Sequence, residues 1–339
     1  MKSLGLGGIL LAGLVGVSPA MAQSPEQFFA GKTITVTIGF SPGGTYDLFG
    51  RMLSRYLGKY VPGKPTVIAS NMPGAGSLTA ANWLYRVAPK DGTAMAIVAQ
   101  TIAQEEALKN KAVQYKTAEF NWIGRATSNI EVQVVSTRTK GTTMQGMKEV
   151  EVPTASTGPG SPSESYPKLL NALAGTKFKI IRGYPGSTDG LLAMERGETD
   201  SALTSWNTMK TTRMDWLTGK KAAVSIQYVL ERSKDLKDVP AVTEFATNDA
   251  DRALLAFAAS SADIGRAFMA PPGVPADRVK ALREAFMAAM KDPDLLAEVE
   301  KAKLDFDPAS GEAVQKIVAD VIGVSPDIVA RMEKILAAE

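Results

Sequence analysis

The chain has 339 residues, enough for about two domains with cores of their own, and its 45% hydrophobic and 22% charged residues are ordinary for a globular protein. The net charge is only +3 at pH 7, and no basic run or basic-aromatic patch occurs, so nucleic acid is not expected as a partner. Because the sequence has no His and no Cys, it excludes Ser-His-Asp and Cys-His nucleophiles, disulfides, and zinc sites built on those residues. This composition favours a binding protein, without metal or cofactor, over a hydrolase.

Residues 1–22 have the pattern of a secretory signal peptide. Lys2 supplies a positive start, the stretch from Leu4 to Val17 is apolar, and the small residues around Met21 fit a small-x-small cleavage site. The apolar run is too short for a helix that spans a bilayer. We predict cleavage near Ala22 and export of the mature chain, which starts near Gln23, to the periplasm.

The sequence from 33 to 100 predicts three strands separated by two helices. Apolar and polar residues alternate over 33–40, as in a strand with one buried face. After Phe49, apolar residues recur at the i, i+3, i+4 spacing of a helix. The predicted elements are strands at 33–40, 65–70 and 93–100, and helices at 46–60 and 78–88. Connections of this kind predict a parallel sheet with right-handed crossovers.

A second unit of similar design follows. Its predicted elements are strands at 149–156, 177–183 and 199–205, and helices at 165–175 and 188–197. Extended chain over 120–138 links the two units, a strand returns from Ile264, and helices are predicted at 275–291, 293–303, 310–322 and 326–338. A chain that crosses over and comes back gives two lobes joined by two strands. We predict one lobe from 23–128 plus 264–339 and the other from 129–263, with the ligand site in the cleft between them.

The loop that contains Gly43 and Gly44 joins the first strand to the first helix. Ligands of open parallel sheets bind beyond the carboxyl ends of the strands. Glycine lets a ligand approach the main chain closely, and the first N–H groups of a helix favour an anion. The alternative is an ordinary turn, in which Pro-Gly serves only tight geometry. Asp47 is expected to stabilise the start of the helix electrostatically and not to contact a ligand.

Three other features allow more than one interpretation. Tyr46 either lines the cleft, where it can stack on a flat ligand, or packs on its own lobe. Arg182 is positioned at a strand end for bidentate pairing with a carboxylate, although such residues are usually solvated. Ser165 and Lys168 fit the Ser-x-x-Lys pattern of penicillin-binding enzymes, but the companion motifs are absent and Pro167 suits the first turn of a helix.

Several ordered motifs together resemble one known family, the periplasmic receptors of tripartite tricarboxylate transporters, often called Bug proteins or TctC-like receptors. The motifs extend over nearly the whole mature chain, whereas each string alone is weak. They are "SPGGTYDLFGR", "NMPGAGS", "PKDGTAM", "STGPGS", the Tyr184-x-Gly186-Ser187 stretch, "DVPAVTE" and "APPGVPADRVKAL".

The resemblance implies an α/β protein with the two-lobed type II periplasmic-binding-protein (Venus flytrap) fold, each lobe a mostly parallel sheet flanked by helices. It also implies a monomeric receptor that is not an enzyme, binds a small organic carboxylate and delivers it to inner-membrane permease components. The implied ligand-binding positions of the first lobe are Ser41, Gly43, Gly44, Thr45, Tyr46, Ala75, Gly76, Ser77 and Thr101. Those of the second lobe are Ser156, Thr157, Gly158, Ser161, Tyr184, Gly186 and Thr204.

The chain departs from the family pattern at two places that concern the ligand. Tyr46 replaces a small residue, and the strand that ends in Thr204 and Ser205 lacks the Asp that the family often has there, which disfavours an amino acid as ligand. Tyr46 and Trp206 make an aromatic or flat carboxylate worth testing, and a dicarboxylate stays open. The alternative functions are a periplasmic serine hydrolase that uses Ser165 and Lys168, and an orphan receptor that reports to a sensor protein.

Overall fold

The computed structural model describes residues 23–337, so the predicted signal peptide and its cleavage site lie outside the described residues. The strands are β1 (Thr33–Ile38), β2 (Thr66–Asn71), β3 (Ala94–Ile97), β4 (Asn121–Arg125), β5 (Glu131–Ser136), β6 (Val152–Ser156), β7 (Phe178–Arg182), β8 (Ser201–Ser205), β9 (Ala222–Tyr228), β10 (Ala267–Ala270) and β11 (Ala309–Ser310). The helices are α1 (Pro25–Phe29), α2 (Thr45–Tyr60), α3 (Leu78–Arg86), α4 (Ile102–Ala107), α5 (Met144–Glu149), α6 (Pro162–Ala174), α7 (Ser187–Arg196), α8 (Trp206–Thr212), α9 (Met214–Thr218), α10 (Asp249–Ser260), α11 (Ala276–Ala289), α12 (Pro293–Lys301), α13 (Gly311–Ile322) and α14 (Pro326–Ala337). Within this range, no helix has both the length and the apolar character needed to cross a bilayer.

The first sheet has the strand order β11-β4-β10-β3-β1-β2. As the alternating pattern predicts, Ile34, Val36 and Ile38 of β1 are fully buried. Strand β1 pairs in parallel with β2 and β3, whereas β10 pairs antiparallel with β3 and β4. We call this sheet and the helices on it the first lobe. Its parallel unit confirms the predicted order and parallel pairing for residues 33–100, although β1 and β3 end at Ile38 and Ile97, earlier than predicted.

The second sheet has the order β7-β6-β8-β5-β9, and with its helices it forms the second lobe. Strand β6 pairs in parallel with β7 and β8, as predicted, and β5 pairs antiparallel with β8 and β9. Both sheets are mixed because β10 and β11 in the first sheet, and β5 in the second, run against the parallel unit of their lobe. The two-lobed fold is thus confirmed, with a larger antiparallel share than expected.

Two predicted boundaries in the second lobe are wrong. The strand predicted over 149–156 starts at Val152, because Thr143 caps α5 by accepting from the Gly146 N–H, and this helix extends to Glu149. The helix predicted from 165 starts at Pro162, which occupies its first turn as proline prefers. Pro167 therefore lies inside α6 and not in its first turn.

The chain passes between the sheets in two segments, 126–130 and 261–266, which we call the hinge segments. They are hydrogen-bonded to each other: the Ala126 N–H donates to the Arg266 carbonyl (3.1 Å), and the Arg266 N–H donates to the Thr127 carbonyl (2.8 Å). Gly265 has φ +55°, and a Cβ there would lie 2.2 Å from the Thr127 oxygen. Only glycine fits where the two hinge segments cross.

The last two helices pack on different lobes. Helix α13 packs against β4 and α4 of the first lobe, whereas α14 packs against α6 and α10. Lys168 on α6 donates to the Leu336 carbonyl (2.8 Å), and Arg331 on α14 pairs with Asp251 on α10. The strands of the first sheet all lie within 23–128 and 264–339, and those of the second within 129–263. Beyond the strands, the predicted residue limits of the two lobes remain a prediction.

Candidate functional site

Two helices, one from each lobe, start opposite each other across the cleft. Helix α2 begins after Gly44 and α7 after Gly186, and no side chain caps either start. A Cβ built on Gly44 would lie 3.3 Å from Ser187 Oγ, and one built on Gly43 would lie 3.6 Å from Thr188 Oγ1. The local sequences are alike, since Gly-Thr-Tyr-Asp opens α2 and Gly-Ser-Thr-Asp opens α7. Both lobes thus present the same kind of helix start to one cleft.

Asp47 holds the first loop in place. Its carboxylate accepts from the Gly43 N–H (3.1 Å), from Arg51 Nε (2.9 Å) and from Asn71 Nδ2 (2.9 Å). Burial by itself would raise the pKa of this carboxyl group, but the hydrogen bonds from Arg51, Asn71 and Gly43 together lower the pKa below its ordinary value. This geometry agrees with the expected helix-start role, and it commits the Gly43 N–H to Asp47.

The remaining N–H groups at the two helix starts face the cleft without acceptors. The described residues provide no hydrogen-bond acceptor for the N–H groups of Gly44, Thr45 and Ser187. Thr188 Oγ1 is also buried and has no partner within the described chain. Unpaired donors at two converging helix starts, each with the positive end of a helix dipole, are an arrangement that favours an anion.

A small cavity of about 40 Å³ lies between the lobes. Its lining consists of Phe40, Ser41, Gly44, Thr45, Tyr46 and Arg266 from the first lobe, and Glu131, Thr157, Pro162, Ser163, Gly186, Ser187, Leu203 and Ser205 from the second. This volume holds only a few water molecules, whereas sites for small ligands are usually several times larger. The lobes must therefore separate to admit an organic ligand.

Direct hydrogen bonds between the lobes close the cleft. Ser41 Oγ donates to Asp189 Oδ2 (2.6 Å), and Thr45 Oγ1 shares a hydrogen bond of 2.8 Å with Ser205 Oγ. At the margin of the cleft, the Gly76 N–H donates to the Thr157 carbonyl (3.2 Å), and Thr101 Oγ1 donates to the Gly160 carbonyl (3.0 Å). The structure thus corresponds to the closed form of a two-lobed clamp.

A buried guanidinium group lies on one wall of the cavity. Arg266 is 2% exposed, and its Nη2 donates to Thr45 Oγ1 (2.9 Å) and to Asn129 Oδ1 (2.7 Å). The same Nη2 lies 3.8 Å from Glu131 Oε1. Burial raises the pKa of Glu131, while Arg266 and Asn129 oppose that rise. Arg266 and Glu131 therefore form a buried ion pair that connects the two lobes.

Tyr46 fulfils both interpretations that the sequence allows. Its ring stacks on Phe40 (4.6 Å between centroids) and faces Arg266, whose Cζ lies 3.8 Å from the ring centroid. The hydroxyl accepts from the Gln100 N–H (3.0 Å). Burial, with a smaller contribution from Glu131, raises the pKa of Tyr46 to about 12. The ring is fixed on its own lobe and at the same time lines the cavity.

Of the predicted site residues, six line the cavity: Ser41, Gly44, Thr45, Tyr46, Thr157 and Gly186. Others form its margin. Gly43 faces Thr188, and Gly76 meets Ser161 across the cleft, where an added Cβ would lie 2.9 Å from the Ser161 backbone nitrogen. Ala75 lies beside Gly158. The loop around residue 76 therefore contacts the opposite lobe directly.

The other predicted residues have structural contacts. Ser77 Oγ accepts from the Ala99 N–H, Ser156 Oγ accepts from the Gly158 N–H, and Ser161 Oγ donates to the Gly158 carbonyl. Tyr184 packs at the edge of the apolar cluster around Val132. Thr204 shares its strand face with Ala202 of that cluster, whereas Leu203 and Ser205, on the other face, line the cavity.

The ion pair and several other cavity residues are not among the positions predicted from the sequence. Besides Arg266 and Glu131, these are Phe40, Pro162, Ser163, Ser187, Leu203 and Ser205. Phe40, Ser187 and Ser205 each lie next to a predicted position, so the predicted loops indicate them. Arg266 lies in the returning segment, where a charged residue between apolar neighbours is the one available signal.

The residues of the alternative interpretations lie elsewhere. Arg182 pairs with Glu164 through two hydrogen bonds of 2.7 and 2.9 Å. Ser165 Oγ donates to the Ser161 carbonyl (3.2 Å), and Lys168 Nζ lies 3.7 Å from Glu164. Trp206 is buried and donates to Asp235. None of these residues lines the cavity between the lobes.

Comparison with protein families gives one match. The family described as "Tripartite tricarboxylate transporter family receptor" matches residues 61–333. No curated protein sequence matches the chain.

Solved structures with the same architecture include several periplasmic proteins. A periplasmic transporter protein is 21% identical with a TM-score of 0.69, over 88% of this chain and 97% of its own. MatC from Rhodopseudomonas palustris, solved with bound malate, is 19% identical with a TM-score of 0.66, over 90% of this chain and 99% of its own. A second R. palustris protein, solved with adipate, is 17% identical with a TM-score of 0.69, over 89% and 97%. At these identities the likeness shows the fold.

Proposed function

The chain belongs to the tripartite tricarboxylate transporter family of receptors, and on this premise we propose that it captures a small organic carboxylate between its lobes in the periplasm and delivers it to the membrane components of such a transporter. The observation that carries the proposal is the pair of uncapped helix starts, at Gly44 and Gly186, which face each other across the cavity. A carboxylate has two oxygens that can accept from donors on opposite sides, so one ligand bonds to both lobes.

Binding and closure are then one equilibrium. A ligand that contacts both lobes interacts more strongly with the closed form than with the open form, and so raises the closed population. Two structural neighbours were solved with the carboxylates malate and adipate, which supports the ligand class. The family match supports a transporter as the destination of the ligand.

We expect small carboxylates to raise the melting temperature of the purified protein. At a ligand concentration of 100 Kd, binding to the folded state alone adds about 2.7 kcal/mol to the free energy of unfolding. A panel of aliphatic and aromatic carboxylates, each with its amide as an uncharged control, is measured by thermal shift and then by calorimetry. A panel in which the amides act as well as the acids, or in which no acid acts, contradicts the proposal.

Substitution of Ser187 provides a test of the anion site itself. Ser187→Asp places a carboxylate at an uncapped helix start, where it occupies the N–H groups that the ligand needs and repels the ligand. We expect affinity at least tenfold lower than in the matched variant Ser187→Asn, which has the same size without the charge. Equal affinities for the two variants would show that the anion binds elsewhere.

Ser165→Ala separates the receptor from the serine hydrolase. Ser165 does not line the cavity, so the alanine variant keeps carboxylate affinity within about twofold on the receptor interpretation. Turnover of an ester by the wild type that disappears in Ser165→Ala would favour the hydrolase instead.

A further inference from the structure

Glu131 is a carboxylate in the wall of a cavity built for an anion. It is the first residue of β5, opposite Ser205 in the register of the sheet, and it is 5% exposed. Its Oε1 accepts from Asn129 Nδ2 (2.6 Å) and lies 3.8 Å from Arg266 Nη2. Because Glu131 lines the cavity, a ligand held between the lobes at this wall lies close to a negative side chain.

The guanidinium group of Arg266 does not offset this charge for the ligand. Nε and Nη2 donate to Thr45 Oγ1, Nη2 also donates to Asn129 Oδ1, and Nη1 donates to Gln100 Oε1. Four of its five N–H groups are thus directed at the protein, and its charge balances Glu131. A bidentate bond from Arg266 to a ligand carboxylate would require these contacts to break.

The charges around the cavity indicate how many carboxylate groups a ligand can carry. Arg266 and Glu131 sum to zero, Asp47 is paired with Arg51, and Asp189 adds a negative charge in the first turn of α7, where it accepts from Ser41. Among the residues that the structure describes, the only positive potential left at the cavity comes from the two helix starts, each equivalent to about half a positive charge. It acts locally on one carboxylate at the helix starts, and Asp189 adds to the repulsion of any further negative charge. A second carboxylate would meet Glu131 with no unpaired cation to receive it.

We propose that Glu131 makes the cavity selective for ligands with a single carboxylate, whose remaining part is apolar or carries a hydrogen-bond donor. This inference rests on the proposed function. The apolar wall of Phe40, Tyr46, Pro162 and Leu203 suits an aliphatic or aromatic body. A ligand hydroxyl group can donate to the Glu131 carboxylate, which in its ionised form accepts hydrogen bonds and donates none. The preference distinguishes this chain from neighbours solved with malate or adipate.

The test compares matched ligands by calorimetry on the full-length mature protein. One series is hexanoate, 6-hydroxyhexanoate and adipate, and the other is benzoate, 4-hydroxybenzoate and terephthalate. We expect the wild type to bind the single carboxylates of the better series at least tenfold more tightly than the dicarboxylate. Glu131→Gln removes the charge at nearly constant size and lowers this ratio about tenfold. The matched control is Glu105→Gln, at an equally buried Glu that does not line the cavity, and it leaves the ratio unchanged.

The outcomes distinguish failure of the role proposed for Glu131 from failure of the receptor function. If carboxylates bind but the wild type prefers the dicarboxylate, or if a folded Glu131→Gln variant keeps the wild-type ratio, the role of Glu131 is wrong and the receptor function stands. If no carboxylate of either series or of the wider panel binds, both proposals fail. Should Glu131→Gln not fold, Glu131→Asp retains the charge and must retain the preference for single carboxylates; its loss there would overturn the inference.

Discussion

Replacement of Arg266 by methionine is expected to lower the free energy of unfolding by about 3–5 kcal/mol. Methionine approximates the length of the side chain but leaves Glu131 buried without its cation. It also removes the donors that Thr45, Asn129 and Gln100 accept from. Urea unfolding of the two proteins measures the loss. The matched control is Arg55→Met, because Arg55 is half exposed and pairs with Glu298 at the surface, where loss of a pair costs at most about 1 kcal/mol.

A double-mutant cycle separates the ion pair from the rest of the network. If Arg266 acts mainly on Glu131, the variant with both Arg266→Met and Glu131→Gln is more stable than the sum of the single changes predicts. Coupling of about 0.5–3 kcal/mol is typical of residues in contact. Additive effects would assign the loss to the hydrogen bonds of Thr45, Asn129 and Gln100 instead.

The pH dependence of the Arg266→Met variant has a defined sign. Burial already raises the pKa of Glu131, and loss of the opposing Arg266 raises this pKa further. The folded state then holds its proton more tightly than the unfolded state. Stability is therefore fully retained below the unfolded pKa of about 4.5 and is lost as the pH rises toward the folded pKa. The difference from wild type should grow between pH 4 and pH 7, and a constant difference would contradict the charge argument.

Replacement of Gly265 by alanine is expected to cost about 3 kcal/mol and to weaken ligand binding as well. A left-handed backbone costs a residue with a Cβ about 1–2 kcal/mol. In addition, the new Cβ would lie 2.2 Å from the Thr127 oxygen and 2.7 Å from the Ser128 Cα, so the hinge segments must move apart. Unfolding free energy and carboxylate affinity are both measured, since displaced hinge segments alter how the lobes meet.

The matched control is Gly175→Ala. Gly175 also has a positive φ, +71°, but no atom lies within 4 Å of its added Cβ. Its substitution thus carries the backbone cost alone. A Gly265→Ala variant that is no less stable than Gly175→Ala would mean that the hinge segments tolerate separation, and the close crossing would then have no mechanical importance.

Local sequence patterns predicted the loops of the cleft whose position follows from the strand before them and the helix after them. The loop at Gly43 and Gly44 follows an alternating strand and precedes a periodic helix, so its place at a strand end follows from signals within about 25 residues. For the opposite wall, the family resemblance at the Tyr184-x-Gly186-Ser187 stretch implied Gly186. Both loops lie at the carboxyl end of a parallel strand, one in each lobe.

The ion pair could not be predicted in this way. Glu131 and Arg266 are 135 positions apart, and they meet only because the two hinge segments cross at Thr127 and Gly265. In the sequence, Glu131 and Gln133 look like the solvent face of an alternating strand, whereas both are buried in the structure. Glu131 contacts Asn129 and Arg266. Gln133 is hydrogen-bonded to Thr154, Ser201 and Tyr228 of its own lobe. Thr204 illustrates a second difficulty. Successive residues of a strand point to opposite faces, so a prediction that is wrong by one position along β8 selects the face that does not line the cavity.

The placement of α13 on the first lobe and α14 on the second gives the chain a third passage between them, at Gly323, Val324 and Ser325. Two adjacent connections permit both bending and twisting of the lobes, whereas a third connection resists twist. We expect the two lobes to rotate about a single axis when they open. The cleft then widens first at the edge farthest from these three connections. Helix α14 and the connection before it would thereby determine the direction from which the ligand enters the cleft.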